Sequence, residues 1–282
     1  MFNTRPAIKI VATILVKDEE DIIAANIEHH IKQGVSQFIV TDNNSSDQSR
    51  SIAEKYPEVV EIIDEPGNDH NQTQWVTRMA QMACKLNPDW IIHLDTDEFW
   101  GGLMSLREAR GKVAGCERMY LHPPTSSGEM NHYLDFDQIP IPQECKIAHR
   151  PDPNFVITHG NHGIENCDNV EFTQKVYRHH YPIRSYEQWV RKAKGHEALS
   201  RRKSICTRWE KWYNLLQEGM LEKEYQKLTS LWGEMIKSPQ HDKFLDILDF
   251  WATPEMITFF KNNPELPRIG EWRMRCQEVK FS

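Results

Sequence analysis

The first hundred residues alternate between short apolar runs and amphipathic stretches that end at helix-breaking residues. Strand-like runs cover 8–16, 37–41, 59–64 and 90–94, and helix-like stretches fill 18–33, 47–55 and 73–86. This alternation predicts an α/β fold with a mainly parallel sheet and helices on its faces. Ligands of such sheets bind at the carboxyl ends of the strands. These ends carry acidic residues, namely Asp18, Glu19, Asp42, Asp64, Glu65, Asp95 and Asp97.

The pattern changes after the fourth strand. Residues 120–153 are rich in proline and polar side chains, which indicates irregular structure over the sheet edge. A strand is predicted at 170–177. Helical periodicity then dominates, at 185–200, 205–217, 220–236, 241–251 and 254–262. We therefore expect an α/β domain over 1–200 and a helical C-terminal extension over 201–282.

Composition excludes several classes of protein. The chain has 282 residues and a formal net charge of -7, which argues against a general nucleic-acid binder because phosphate binding needs clustered Lys and Arg. No run approaches the roughly 18 apolar residues of a membrane span. The apolar run 8–16 is broken by Lys9 and is better explained as a buried strand than as a signal peptide. Six scattered cysteines without a C-x-x-C pair indicate free thiols in a reducing cytosol.

The strongest chemical motif is the segment that reads W-I-I-H-L-D-T-D-E-F. A buried strand leads into Asp95 and Asp97, which are separated by one residue. Alternate side chains of an extended chain share a face, so both carboxylates can meet one divalent cation. Mg²⁺ and Mn²⁺ favour oxygen ligands and bridge to substrate phosphates, where they neutralise a diphosphate leaving group. The alternative is a helix cap or a solvated turn.

Two other strand ends carry candidate binding residues. In F-I-V-T-D-N-N-S-S-D, Asp42 at the strand tip can accept a hydrogen bond from the N3–H of a uracil or a similar base edge, or it can form a local turn. Asp47 in the same segment is predicted to cap the next helix. In V-K-D-E-E-D-I-I, the acidic residues from Asp18 onward could equally initiate a helix.

The order of these motifs resembles glycosyltransferase family 2, in the subgroup with K-N-E, D-N-S-x-D and D-x-D-E-F segments. The resemblance covers roughly residues 8–100 and thins towards 200. It implies a GT-A fold, a nucleotide-diphosphate sugar donor and a divalent metal. The chain departs from the subgroup at Asp18, where asparagine is usual. The resemblance implies that the donor is bound by Lys17, Glu19, Asp42 and Asp95. It also implies that the metal is bound by Asp95 and Asp97.

The segment T-H-G-N-H-G-I-E offers a third metal ligand and a general base. His162 is the favoured ligand over His159, because the flanking glycines allow close backbone approach. Glu165 is the candidate base that deprotonates an acceptor hydroxyl. Loop histidines without a metal role remain the alternative. The rival bases are Glu98, Asp135 and Asp137.

A basic segment, H-H-Y-P-I-R-S-Y-E-Q-W, continues into a helix that Ser185 can cap. Arg184 and Lys192, together with Lys194, could surround a diphosphate or an acidic acceptor. The alternative is an amphipathic helix with a solvated face. Tryptophans of the C-terminal helices are expected to pack in a core rather than to stack on sugars.

Together these features predict an inverting, metal-dependent glycosyltransferase that uses Mn²⁺ or Mg²⁺. It would move a sugar from a nucleotide donor, UDP-sugar first, to a hydroxyl of a saccharide or glycolipid. Polysaccharide assembly in the cytoplasm, with peripheral docking at the inner membrane face, is the setting that the resemblance implies. Alternatives are a non-catalytic nucleotide-sugar or glycan-binding protein, a metal-dependent phosphohydrolase, or a nucleotidyltransferase, which would need a glycine-rich loop after the first strand.

Overall fold

The structure is a computed structural model that describes residues 8–67, 71–124, 131–136, 145–165, 167, 169–199, 207–238, 240–250, 254–263 and 268–272. The chain divides into two compact units. Unit 1 comprises 1–67, 71–118 and 142–179, and unit 2 comprises 68–70, 119–141 and 180–282. This division follows contacts rather than chain order, and the boundary at residue 200 stays a prediction.

Strands and helices alternate in the first part of the chain, and helices dominate the last part. The strands are β1 (Ile10–Val16), β2 (Val35–Asp42), β3 (Val59–Asp64), β4 (Trp90–Asp95), β5 (Glu98–Gly101), β6 (Val113–Leu121), β7 (Asn131–Phe136), β8 (Lys146–His149), β9 (Val170–His180) and β10 (Arg268–Trp272). The α-helices are α1 (Ile23–Lys32), α2 (Ser49–Ala53), α3 (Gln72–Cys84), α4 (Tyr186–Leu199), α5 (Thr207–Gln217), α6 (Leu221–Lys237), α7 (His241–Leu248) and α8 (Pro254–Asn262).

Unit 1 is built on a mixed sheet. Strands β3, β2, β1 and β4 lie side by side in that order and are all parallel. Strand β8 then pairs antiparallel with β4, and the first half of β6 pairs antiparallel with β8. The α/β class predicted from the sequence is confirmed, since each of the first three parallel strands is followed by a helix.

The centre of the unit 1 sheet is covered on both faces, which explains why strands β1 and β4 are buried along almost their whole length. Side chains of a strand alternate between the two faces. In β1, Ile10, Ala12 and Ile14 belong to one buried cluster, which also contains residues of α1. Val11 belongs to a second cluster, which contains residues of α3. The two-residue period of the strand therefore supplies both halves of the core.

Two local predictions are corrected by the structure. Residues 120–153 are not irregular throughout, because the last residues of β6, all of β7 and all of β8 form antiparallel pairs there. Helix α1 begins at Ile23 and has no side-chain cap, so Asp18 does not initiate it. Gly34 does follow the end of that helix, with φ of 97° in the left-handed region that glycine tolerates.

Unit 2 contains the end of β6, β7 and β10, with helices α4 to α8. These helices begin within two residues of the predicted positions, because their apolar residues recur at helical spacing. Aromatic side chains form the core as expected: Trp189 and Trp212 are buried with ring centroids 5.7 Å apart. No helix in the described ranges is both long and apolar enough to cross a membrane.

A buried chain of hydrogen bonds crosses three strands of unit 1. Thr13 Oγ1 lies 2.7 Å from His93 Nδ1, and His93 Nε2 lies 3.0 Å from His149 Nε2. His149 Nδ1 lies 2.7 Å from the Arg150 carbonyl, which can only accept. When both imidazoles are neutral, as their burial favours, each hydrogen bond in the chain is donated in the same direction, from Thr13 through His93 and His149 to the Arg150 carbonyl. Burial lowers the pKa of His149 to about 4 and that of His93 well below its usual range.

Because His93 and His149 are buried and neutral, we expect the free energy of unfolding to decrease in mild acid. In the unfolded chain both titrate near pH 6.5, so the unfolded state binds more protons below that pH. Their stabilisation is complete above pH 6.5 and is lost as pH falls towards 4, at a cost of about 3 kcal/mol for His149 alone. Urea unfolding at pH 7.5 and 5.0 measures the difference. A His149→Leu variant should show a shallower pH dependence, and equal wild-type stability at both values would contradict the prediction.

Candidate active site at the carboxyl ends of the parallel strands

The carboxyl ends of the parallel strands of unit 1 bring the predicted donor residues to one edge of the sheet. In the register of the sheet, Val16 of β1 pairs with Asp42 of β2. Leu15 of β1 pairs with Asp95 of β4 on its other side. Asp42 and Asp95 therefore flank the same end of the central strand, although 52 residues lie between them in the chain.

The segment after β1 is tied to the segment after β2. Asp18 has φ of 53° in the left-handed region, and its Oδ1 accepts hydrogen bonds from the backbone N–H of Ser46 at 2.7 Å and from the Ser46 hydroxyl at 3.0 Å. The backbone N–H of Asp18 donates to Ser45 Oγ. Lys17 Nζ donates to the Asn43 carbonyl at 2.9 Å. Asp18 thus positions the loop, and its left-handed backbone explains why Asp or Asn is suited to this position.

Replacement of Asp18 separates its backbone role from its charge. Asp18→Asn keeps an acceptor oxygen and the tolerance of the left-handed region, so we expect a melting temperature within about 2 °C of wild type. Asp18→Ala loses both, and we expect destabilisation of about 1–2 kcal/mol. Thermal unfolding followed by circular dichroism measures both variants. If the two variants melt together, the loop geometry does not depend on this side chain.

Asp42 presents an acceptor that the protein leaves unsatisfied. The residue is 5% exposed, and its Oδ2 accepts a hydrogen bond from the Ser45 backbone N–H at 3.2 Å. Its Oδ1 is buried without a hydrogen-bond partner among the described residues. The side-chain oxygen of the adjacent Asn43 is in the same condition. Buried polar atoms usually have partners, so these two oxygens are available to accept hydrogen bonds from a bound group.

The D-x-D motif spans the turn between β4 and β5. Asp95 is half-buried and Asp97 is 8% exposed. Asp95 Oδ2 forms an ion pair with Lys146 at 2.5 Å, and its Oδ1 accepts a hydrogen bond from Asn161 Nδ2 at 3.0 Å. Both partners come from residues after β6 in the chain. Only about half of the acceptor positions of the Asp95 carboxylate are used by these two bonds.

A buried group of charges lies directly against the motif. Lys146 Nζ lies 3.6 Å from Glu98 Oε1, and Arg178 Nε lies 3.5 Å from the same oxygen. All three side chains are only 3–4% exposed. Neither Lys146 nor Arg178 is singled out by the sequence pattern. Lys146 is the first residue of β8, a strand of only four residues in a segment that the sequence predicts to be irregular.

His162 adopts the form in which histidine binds metals. Its Nδ1–H donates to the Cys145 carbonyl at 3.0 Å, which leaves Nε2 as the unprotonated nitrogen. Burial, reinforced by the charges of Lys146 and Arg178, lowers its pKa well below the usual range. Gly160 has φ of 73°, and a Cβ there would lie 2.4 Å from the His162 ring. Glycine is therefore required at position 160, and the role of His162 as a metal ligand stays a prediction.

The carboxylates of the motif fit a cation that is shared with a substrate. Asp95 and Asp97 supply the oxygen ligands that Mg²⁺ and Mn²⁺ prefer. Within the part of the chain that the structure describes, no three His, Cys, Asp or Glu side chains are grouped as a metal site. Mg²⁺ commonly binds through one or two protein carboxylates plus substrate phosphates, so two carboxylates suffice when a diphosphate is present.

The remaining predicted residues are distributed over both units. In unit 1, Glu165 is exposed, and the backbone N–H of Glu165 donates to the Val156 carbonyl. Glu98, its rival as the base, is buried in the charge cluster described above. In unit 2, Asp135 lies in β7, and Asp137 falls outside the described residues.

Arg184 and Lys192, the predicted basic site residues in unit 2, contact the loop before α4. Arg184 is buried and donates from Nη1 to the Tyr181 carbonyl at 3.3 Å. Lys192 Nζ donates to the Pro182 carbonyl at 3.1 Å. The predicted helix cap is confirmed, since Ser185 Oγ accepts a hydrogen bond from the Gln188 backbone N–H at 3.1 Å. The assignment of Arg184 and Lys192 to a diphosphate stays a prediction.

Comparison with known proteins gives structural neighbours only. No protein-family model matches the chain, and no curated protein matches it. Glucosyl-3-phosphoglycerate synthase from Mycobacterium tuberculosis, in complex with Mn²⁺, UDP and glucosyl-3-phosphoglycerate, is 14% identical with a TM-score of 0.31, over 40% of this chain and 44% of that one. HddC from Yersinia pseudotuberculosis is 11% identical with a TM-score of 0.36, over 61% of this chain and 92% of that one.

These similarities are partial, because the chain spans less than half the length of the mycobacterial synthase. At such identities and TM-scores they identify no family for this chain. The class of protein is therefore defined by its own structure. Unit 1 is an α/β unit with a polar, acidic and partly buried site at the carboxyl ends of its parallel strands.

Proposed function

We propose that the chain is a glycosyltransferase that uses a nucleotide-diphosphate sugar as donor, UDP-sugar first, and transfers the sugar to a hydroxyl of a saccharide or glycolipid. The observation that carries this proposal is the convergence of Asp42 and the D-x-D carboxylates on the two sides of one strand end. A nucleotide sugar needs a recognition group for its base and charge stabilisation for its diphosphate. These two requirements match the two sides of the site.

On one side, Asp42 would bind the base. Its buried Oδ1 has no partner in the described residues and can accept a hydrogen bond from an imide N–H, such as that of uracil. Asn43 Oδ1 offers a second acceptor nearby in the chain. A site built from buried acceptors rejects ligands that cannot donate, because the acceptors would remain unpaired. Lys17 and Glu19, at the end of β1, are proposed to contribute to the same donor site.

On the other side, Asp95 and Asp97 would meet the ribose and the diphosphate. No third His, Cys, Asp or Glu groups with them as a metal site in the described residues, so His162 as a third ligand of the cation stays the prediction made from the sequence. A bound Mn²⁺ or Mg²⁺ would neutralise the charge that develops on the leaving diphosphate. Asp95 is held by Lys146 and Asn161 and retains acceptor positions for a hydroxyl of the donor. Glu165 is proposed as the base that activates the acceptor, with inversion at the sugar carbon.

Binding of nucleoside diphosphates tests the donor site directly. We expect UDP with Mn²⁺ to raise the melting temperature by about 5 °C at 100 times its Kd, and UDP alone to raise it far less. Asp42→Asn should remove most of this shift. Asp64→Asn is a matched control, because Asp64 is an exposed strand-end carboxylate whose partner is Arg50. No shift with any nucleotide, with or without metal, would overturn the donor-site proposal.

Turnover separates an enzyme from a binding protein on the same fold. A transferase should release UDP from a UDP-sugar when a saccharide or glycolipid acceptor is added, and release should need the divalent cation. Tight donor binding with no release of UDP under any acceptor condition would favour the non-catalytic alternative. Release of inorganic phosphate from simple phosphoesters would favour a phosphohydrolase.

A further inference from the structure

Lys146 is a buried lysine whose hydrogen-bonding capacity is directed at the protein itself. Its ammonium group lies 2.5 Å from Asp95 Oδ2, 2.7 Å from the Gly160 carbonyl and 3.6 Å from Glu98 Oε1. Two of the three N–H donors of the ammonium group are used in hydrogen bonds to Asp95 and Gly160, and Glu98 Oε1 adds an ion-pair contact beyond hydrogen-bond distance. Its side chain is only 4% exposed. Lys146 can therefore act on a substrate only through its neighbours.

The surroundings keep Lys146 charged. Burial alone lowers the pKa of this ammonium, but the carboxylates of Asp95 and Glu98 outweigh that effect and raise it. Arg178 lies on the same oxygen of Glu98, so two buried cations stand among two carboxylates. A buried charge is costly to maintain unless it is paired, and replacement of a buried ion pair by apolar residues is often neutral or stabilising. Packing alone therefore does not account for a lysine at this position.

The carboxylate of Asp95 is held by two contacts. One oxygen of Asp95 faces Lys146 and the other faces Asn161, so the plane of its carboxylate is held from two directions. Asn161 itself has φ of 60° and is 1% exposed, which indicates that the loop carrying it is also held in place. Within the D-x-D motif, Asp95 thus has its charge balanced inside the protein.

We propose that Lys146 is the counter-ion of Asp95 and a positioning residue for the D-x-D motif. It fixes the orientation of the Asp95 carboxylate and neutralises its charge. A divalent cation that enters the site therefore meets less negative charge than two carboxylates without a counter-ion would present. This inference rests on the proposed function in that it takes the motif as a cation-dependent donor site. Lys146 would thereby weaken cation binding while it keeps Asp95 in the geometry that the donor needs.

Loss of Lys146 is expected to increase the affinity for Mn²⁺ rather than to decrease it. Lys146→Met removes a positive charge next to the motif, so we expect Mn²⁺ to bind about 10-fold more tightly. Asp95→Asn removes a negative charge, so Mn²⁺ should bind about 10-fold more weakly. In the Lys146→Met/Asp95→Asn double variant the charges balance again, and affinity should return to within about threefold of wild type. A lysine with only a structural role would weaken binding when it is lost.

The measurement is a Mn²⁺ titration of the full chain, with and without UDP, in which free Mn²⁺ is followed by electron paramagnetic resonance. Lys175→Met is the matched control, because Lys175 forms an exposed ion pair with Glu108 and its charge is screened by solvent. Should Lys146→Met fail to fold, comparison of Asp95→Asn with the double variant supplies the same contrast, since the double variant should bind Mn²⁺ about 10-fold more tightly than Asp95→Asn.

Unchanged or weaker Mn²⁺ affinity after loss of Lys146, in whichever of these two comparisons folds, overturns the inference, and so does a wild-type chain that binds no Mn²⁺ in either condition. The proposed function is judged by a different measurement. A chain that shows the predicted pattern of Mn²⁺ affinities but releases no nucleoside diphosphate from any nucleotide sugar supports the role of Lys146 and refutes the transferase. A working transferase without this pattern refutes the role of Lys146 alone.

Discussion

Asp97→Ala is expected to reduce kcat/KM for sugar transfer by about 1000-fold, while the protein remains folded. Its carboxylate is proposed to hold the cation that neutralises the leaving diphosphate, and the removal of one such electrostatic contact typically costs two to three orders of magnitude. The same variant should lose the Mn²⁺-dependent part of the stabilisation by UDP. Steady-state assays of UDP release and thermal unfolding with and without Mn²⁺ measure the two effects.

Asp64→Ala provides the comparison for this variant. Asp64 also ends a parallel strand, and it pairs in register with Asp42, but its side chain is 59% exposed and forms an ion pair with Arg50. We expect its replacement to leave transfer within about twofold of wild type, because exposed ion pairs contribute little. Equal losses in both variants would point to a general effect of charge at this edge, and full activity of Asp97→Ala would refute the assignment of that residue.

Glu98→Gln is expected to destabilise unit 1 by about 3–5 kcal/mol. Glu98 is 2% exposed, and its Oε1 faces both Lys146 and Arg178. The neutral amide leaves two buried cations with insufficient negative charge, and a buried pair that loses one partner typically costs this much. Urea unfolding followed by tryptophan fluorescence measures the change in free energy. The result would also show that Glu98 is a structural acid and not the base that activates the acceptor.

Glu108→Gln is the control for Glu98→Gln. Glu108 pairs with Lys175 at the surface, and both side chains are more than half exposed. Loss of its charge should change stability by less than about 0.5 kcal/mol. If Glu98→Gln proves as mild as this control, the buried charges of unit 1 are compensated by water or by other groups, and the electrostatic account given for Lys146 would fail with it.

The parallel strands of unit 1 were predictable because each is marked by a run of apolar residues next to one another in the sequence. Strand β3 was predicted at its observed limits, and β1, β2 and β4 within two residues of theirs, since β1 and β4 are continuous apolar runs buried on both faces and β2 and β3 are short apolar runs between turn residues. Parallel strands deliver their carboxyl ends to one edge, so the position of Asp42 and Asp95 followed from the order of elements. The helices of unit 2 were predictable for a similar reason, their 3.6-residue period.

The antiparallel strands were not predictable in the same way. Strand β8 has four residues and pairs with β4 and β6, which lie far from it in the chain. Such pairing depends on partners rather than on local propensity. The surrounding prolines favoured an irregular structure in the sequence pattern, and Lys146 consequently had no assigned place. Asp18 was misplaced for a related reason: its bonds to Ser46 join segments 28 residues apart.

By itself the sequence determined the α/β class, the limits of the main elements and the edge of the sheet where the acidic residues meet. All of these depend on periodicity and on the fixed direction of parallel strands. Only the tertiary structure decided which charges neutralise each other. Lys146 reaches Asp95 across 51 residues of chain, and Arg178 shares Glu98 with it from another strand. The strength of an electrostatic interaction depends on the distance between the two charges and on their burial. Both depend on the tertiary fold and cannot be obtained from local sequence patterns.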